Sequence, residues 1–196
     1  KMIPVYCWTD AVDHGTEMTE LDGVKPIGRE MKLNEKMHLD ANIKMIFNLA
    51  GNSLVNQHGD INRTIKILKD PSKCEFIVCS DLFMTASAKF ADILLPGVSM
   101  FECENITMPW QYGDFLGFNN QMIEPLFEGR FEYDWLVEVA DRLGLKAQFS
   151  LGHTAGQWLH DCYEKLRETE TELPDYEIFK KDALFRYQER AIISAF

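Results

Sequence analysis

Three short apolar runs, IKMIFNLA (43–50), CEFIVCSD (74–81) and DILLPG (92–97), set the narrowest limits on how this chain can fold. Each is rich in Ile, Val, Leu or Phe and is too short for an ordinary helix, the mark of a strand buried on both sides. Between the first two lies DINRTIKILKD, where Ile61, Ile65 and Leu68 fall on one helical face behind Asp60, a natural cap. TASAKFA carries a helix-forming stretch before the third run, and Pro96 stops that strand. Strands alternating with helices make a β-α-β-α-β unit with parallel strands and right-handed crossovers. The expected fold class is therefore α/β: a Rossmann-like parallel sheet with helices on both faces.

The flanks are less regular. IPVYCW (3–8) is a short strand candidate, and the Gly-, Asp- and Thr-rich stretch 9–30 reads as a long surface loop. Residues 97–130 hold Gly, Pro, Asn and aromatics throughout, the composition of a packed, functional loop. FEYDWLVEVADRLGLK gives a helix with Trp135, Leu136, Val139 and Leu143 inward and Gly144 as its stop. A second amphipathic helix follows a Thr154 cap, with Trp158, Leu159, Cys162 and Leu166 at core spacing, and a third starts at Pro174. The expected organisation is a linker and loop segment over 1–42, an α/β domain over 43–150, and a helical extension of that domain over 151–196. Lys1 and the apolar RAIISAF at the other end read as cut points, so the chain is expected to be one inserted domain of a larger multidomain protein.

Composition excludes several classes. With 20 Lys and Arg against 31 Asp and Glu, the net charge of −11 opposes a phosphate backbone, so no nucleic acid partner is expected. No apolar run approaches the ~20 residues of a membrane span, so direct membrane insertion is not expected either. Cys7, Cys74, Cys79, Cys103 and Cys162 lack the spacing of a disulfide framework or a zinc site, and the scattered histidines lack ligand spacing.

In an open parallel sheet, ligands bind at the carboxyl ends of the strands. Here the first strand is followed by Gly51, Asn52, Ser53, Asn56, Gln57 and His58, the second by Ser80 and Asp81, the third by residues 97–104. Glycine lets a ligand approach the backbone, and the amides both donate and accept. Asp81 stands where nucleotide-binding folds place an acid against ribose hydroxyls or a base edge. The set suits a bulky nucleotide-like ligand. It is not the GxGxxG fingerprint, and Asp60 as a helix cap would repel a pyrophosphate there. Plain turn chemistry after the first strand, with Asp81 capping a helix near Met84, accounts for the same residues without a ligand.

The string AGNSLVNQHGDINRTIKILKDPSKCEFIVCSDLFMTASAKFADILLPG, with ECENIT and QMIEPLFEGRFEYDWLVEVADRLG, resembles the dimethyl sulfoxide reductase family of molybdopterin oxidoreductases. IPVYCWTDAVDHG and GQWLHDCYEKL resemble the catalytic subunits of its anaerobic respiratory branch. The resemblance implies a domain that holds one of two molybdopterin guanine dinucleotides of a molybdenum bis(molybdopterin guanine dinucleotide) cofactor. It assigns Ala50, Gly51, Asn52, Ser53, Leu54, Asn56 and Gln57 to the dinucleotide, and Ser80 and Asp81 to its guanosine end. Glu132 and Asp134 are further contacts, and Cys103 stands where relatives can carry a basic residue. It also implies oxygen-atom transfer from S-oxides or N-oxides in anaerobic respiration, with no catalytic residue or metal ligand in this stretch and the fragment alone inactive. A [4Fe-4S] cluster would lie outside the fragment. Partners would be the remaining domains of the same subunit, an iron–sulfur electron-transfer subunit and a membrane anchor subunit, in a bacterial enzyme on the extracytoplasmic side. Two other readings stay open: a stand-alone nucleotide-binding α/β module, and a receiver-like switch phosphorylated on Asp81.

Overall fold

The computed structural model describes residues 1–57, 59–109 and 113–187; His58, residues 110–112 and residues 188–196, which include the RAIISAF end, lie outside the described residues. Contacts group the chain into two units, Lys1–Pro96 and the residues from Gly97 onward. The sequence reading instead draws its boundaries at 42/43 and 150/151. The reason for the difference is packing: side chains from the first 42 residues complete the core beneath the sheet, and 97–150 shares a unit with the C-terminal helices.

In the first unit, β1 (Met45–Leu49), β2 (Phe76–Asp81) and β3 (Ile93–Pro96) form a parallel sheet in that order, in the register Ile46 to Ile77 and Val78 to Ile93. The three apolar runs are thus the three strands. Before them, α1 (Trp8–His14) occupies the stretch read as loop, and the IPVYCW strand candidate is a 3-10 turn over Val5–Cys7 running into that helix. The Asp, Gly and Thr residues that suggested loop are capping chemistry. Thr19 makes a capping box with Asp22, and Gly23 closes that turn at φ 88°.

After β1 come α2 (Ser53–Asn56) and α3 (Ile61–Leu68), the latter capped by Asp60, which accepts from the Arg63 N–H at 3.0 Å. Trp8, Val12, Leu54, Ile67, Leu68, Cys74 and Ile77 form one core on the Ile46–Ile77 face of the sheet. The sequence reading expects strands buried on both sides with helices on both faces, but the opposite face carries Met45, Phe47, Leu49 and Ile93, each between 41 % and 46 % exposed. Apolar runs of this length do not by themselves tell one buried face from two. TASAKFA yields only a single 3-10 turn, Ala88–Phe90.

The second unit is α+β. Within the stretch read as loop, β4 (Asn105–Thr107) pairs antiparallel with β5 (Phe115–Asn119), and β5 pairs antiparallel with β6 (Leu184–Arg186). The helices are α4 (Glu132–Arg142), α5 (Lys146–Ser150), α6 (Ala155–Arg167) and α7 (Tyr176–Asp182). Leu116 and Phe118 of β5 bury against Tyr163, Leu173, Tyr176 and Phe179. Phe179 stacks on Tyr163 at 4.8 Å and meets Phe118 edge-on at 5.8 Å.

Burial on two helices departs from their helical spacing. On α4, Trp135 and Ala140 are buried while Val139, and Leu143 at its C-cap, are exposed; on α6, Cys162 is exposed and its neighbour Tyr163 is the core residue. The Thr154 capping box with Gln157 forms as the sequence suggests.

Candidate functional site

The parallel register places Leu49 beside Ser80, and the Ala50 N–H extends the pairing by donating to the Ser80 carbonyl at 2.8 Å. Ala50 then turns back at φ 49°, a left-handed conformation unusual for a residue with a side chain. The turn is braced from below by Asn48, whose Nδ2 donates to the Gly51 carbonyl at 2.5 Å and to Cys79 Sγ at 3.3 Å. Asn48 is buried in β1. Its signal in the sequence is a single amide inside an apolar strand, since a buried polar side chain needs a partner.

Asn52 is tied sideways. Its Oδ1 accepts from the Ser87 N–H at 2.9 Å and from the Ser87 hydroxyl at 2.8 Å, while Ser87 Oγ accepts from the Val55 N–H at 3.1 Å. The tip after β1 and the segment after β2 are therefore pinned together through a fully buried serine. Asp81, at the end of β2, accepts from the Phe83 N–H at 3.2 Å in a local turn, and no helix starts at Met84. Beside it lies a cavity of about 210 Å³ lined by Asp81, Leu82, Phe83, Met84, Leu94 and Pro96, among others.

Ala50, Gly51, Asn52, Ser53, Ser80 and Asp81 thus share one rim at the carboxyl ends of two neighbouring strands. Ser80 is buried and shapes that rim through its carbonyl. Leu54 points the other way, into the core beneath the sheet, so its side chain packs the domain. Asn56 and Gln57 are exposed at the end of α2. The rim offers amides, backbone groups and a carboxylate, which is the chemistry of recognition. The Asp60 cap places a carboxylate at the start of α3, which disfavours a pyrophosphate at that helix end.

Cys103, Glu132 and Asp134 belong to the second unit. Cys103 and Asp134 line a cavity of about 410 Å³ together with Glu104, Glu124, Arg130 and Phe131. Glu102 braces it, accepting from the Ser99 N–H at 2.7 Å and the Leu126 N–H at 2.6 Å. The hydrogen bonds with Ser99, and then with Leu126, hold its carboxyl below the usual range. Burial pushes the Cys103 thiol up, and the charges of Glu132 and Glu102 push it further, so it stays a protonated thiol at neutral pH. Glu104 is paired with Lys180 at 2.6 Å, and Arg130 with Glu138 at 2.5 Å. Among the described residues, no group of three or more His, Cys, Asp or Glu is arranged to hold a metal ion, and no helix is long and apolar enough to cross a membrane.

Comparison with known proteins gives the rim a context. A family model described as molybdopterin oxidoreductase matches residues 11–142. The chain is 43 % identical over 190 residues to the dimethyl sulfoxide reductase DmsA of Escherichia coli K12, covering 95 % of this chain and 22 % of that protein. It is 29 % identical over 137 residues to the trimethylamine-N-oxide reductase of Haemophilus influenzae, covering 69 % of this chain and 16 % of the relative. Among solved structures, the acetylene hydratase from Pelobacter acetylenicus is similar with a TM-score of 0.56 and 26 % identity, over 76 % of this chain and 19 % of the other. The chain thus spans under a quarter of the length of the relatives it matches.

Proposed function

The chain belongs to the molybdopterin oxidoreductase family, and on that premise we propose that it is the cofactor-holding α/β portion of a molybdenum enzyme reducing S-oxides or N-oxides. The carrying observation is the shared rim. Ala50–Ser53 and Ser80–Asp81 meet at the carboxyl ends of adjacent parallel strands, all inside the stretch matched by the family. A nucleotide-bearing pterin fits that donor set. Neutral amide and backbone groups suit phosphate oxygens and ring carbonyls, and Asp81 suits hydroxyl or base N–H donors.

In this reading the bound form is molybdenum bis(molybdopterin guanine dinucleotide), and the sheet is the Rossmann-like cradle for one guanosine end. The group supplies, when bound, two-electron oxygen-atom transfer: an S-oxide or N-oxide, two protons and two electrons give the sulfide or amine and water. This chain's part is positioning. Gly51 admits close approach, Asn52 and Ser53 line the dinucleotide, Asp81 orients the guanosine, and the exposed Asn56 and Gln57 extend the contact. Cys103, Glu132 and Asp134 form a second contact set, with Cys103 acting as a neutral thiol. The reading extends, from the family resemblance alone, to electrons delivered through a [4Fe-4S] cluster outside this stretch, iron–sulfur and membrane anchor partner subunits, and anaerobic respiration on the extracytoplasmic side. The stretch alone is inactive.

The test is made on the full-length protein. Acid release should yield guanine nucleotide in proportion to molybdenum, and a reduced viologen dye should be oxidised on addition of dimethyl sulfoxide or trimethylamine N-oxide. Protein that is folded and molybdenum-loaded yet releases no guanine nucleotide would overturn the assignment of the rim. Sulfoxide turnover by residues 1–196 alone would overturn the division of labour.

A further inference from the structure

The Asn52 carboxamide is held by its oxygen. An amide oxygen has two lone pairs, and here the Ser87 N–H at 2.9 Å and the Ser87 hydroxyl at 2.8 Å take both. The backbone N–H sets this orientation, because it can donate but not accept. Ser87 Oγ accepts from the Val55 N–H at 3.1 Å and gives its one proton to Asn52, and Ser87 is 0 % exposed. Turning the amide over would set the Asn52 NH₂ against the Ser87 N–H, donor against donor, and would leave that buried N–H without an acceptor.

We infer that Ser87 is a positioning residue that fixes the polarity of the rim: with the Asn52 oxygen saturated, this side chain can meet a ligand only as an N–H donor. The ligand atom it recognises is then an acceptor oxygen of the nucleotide-bearing cofactor, a phosphate or carbonyl oxygen. This inference rests on the reading of the rim as the dinucleotide site. It adds a residue 35 positions away in sequence from Asn52 that touches no ligand and yet selects which ligand atoms are accepted.

The test uses holoenzyme of the full-length protein and reads the rate at which guanine nucleotide is lost from purified samples, beside hydrogen exchange at the Val55 amide. Asn52→Asp keeps the acceptor for Ser87 but replaces the donor with an anionic oxygen. The expected result is parental protection at Val55 with cofactor loss accelerated by about tenfold or more, the scale of one ligand hydrogen bond turned into a repulsion. Ser87→Ala should raise both exchange and cofactor loss, and Ser87→Thr, which retains the hydroxyl, should restore cofactor retention. A purely structural latch predicts otherwise: Asn52→Asp with parental retention overturns the inference. So does Ser87→Ala with parental retention despite an unprotected Val55, which keeps the test decisive if the aspartate variant fails to fold. Parental enzyme without guanine nucleotide would instead overturn the underlying reading of the rim.

Discussion

Leu54 separates a packing role from a ligand role, because the family resemblance assigns it to the cofactor while the structure places its side chain in the core with Trp8, Val12, Ile67 and Ile77. Leu54→Ala deletes the equivalent of three methylene groups, and at ~0.8 kcal/mol each the transfer term is about 2.4 kcal/mol. Leu54 is 4 % exposed, and its neighbours come from α1, α3 and β2, so the surroundings can collapse only in part. A residual cavity takes the total toward ~5 kcal/mol. A unit of this size, Lys1–Pro96, has a stability on the order of 5–15 kcal/mol, so the loss is a large fraction of it. The assay is native-state hydrogen exchange at the Ile77–Ser80 amides of β2, which open with the unit. Exchange should accelerate roughly sixtyfold to several thousandfold. Leu54→Met, which conserves volume, should cost less than about 1.5 kcal/mol. Exchange in Leu54→Ala within about fivefold of the parent, roughly 1 kcal/mol, would refute the packing argument and return Leu54 to the ligand.

Two other outcomes follow from the same physics. Tyr163 donates its hydroxyl to the Pro174 carbonyl at 2.9 Å, and burial lifts its pKa to about 12. The neutral phenol is what the fold accommodates, so its contribution is complete below the ordinary value near ~10 and is lost as pH rises from there toward about 12. Tyr163→Phe should lower stability at neutral pH by about 1 kcal/mol and flatten that alkaline loss; parallel thermal melts of parent and variant from pH 8 to about 12 would contradict it. Glu20 is held down to about 2 by Lys36 and then the Met37 N–H, and Glu35 to about 2 by Arg29 and then the Lys32 N–H. Their stabilising ties are complete above the ordinary carboxylate value of ~4.3 and disappear as pH falls toward about 2. Pepsin cleavage within 19–39, measured against a denatured control, should therefore rise across that interval, and unchanged resistance would show that other contacts hold the segment.

The strands of the first unit were readable because a parallel sheet demands unbroken apolar runs, and Asp60 and Thr154 were readable because a cap acts on its own helix within a few residues. What the sequence hid was decided at long range. Nothing local announces that Asn52 gives its oxygen to Ser87, since the partner lies in a short segment that reads as helix. A helix as brief as Ser53–Asn56 shows too little periodicity to say that Leu54 points inward. The polar residues of 9–30 concealed α1 because caps and loops draw on the same amino acids.

The strand order of the second unit bears on how the protein is made. β5 lies between β4 and β6, and Phe115 must find Arg186 across four intervening helices. On the ribosome that sheet stays unfinished until the segment bearing β6 has left the exit tunnel. The strands of the first unit follow one another directly from Met45 to Pro96 and can close while later residues are still being translated. A pause in synthesis just before β6 would thus strand one half-built sheet beside a finished one.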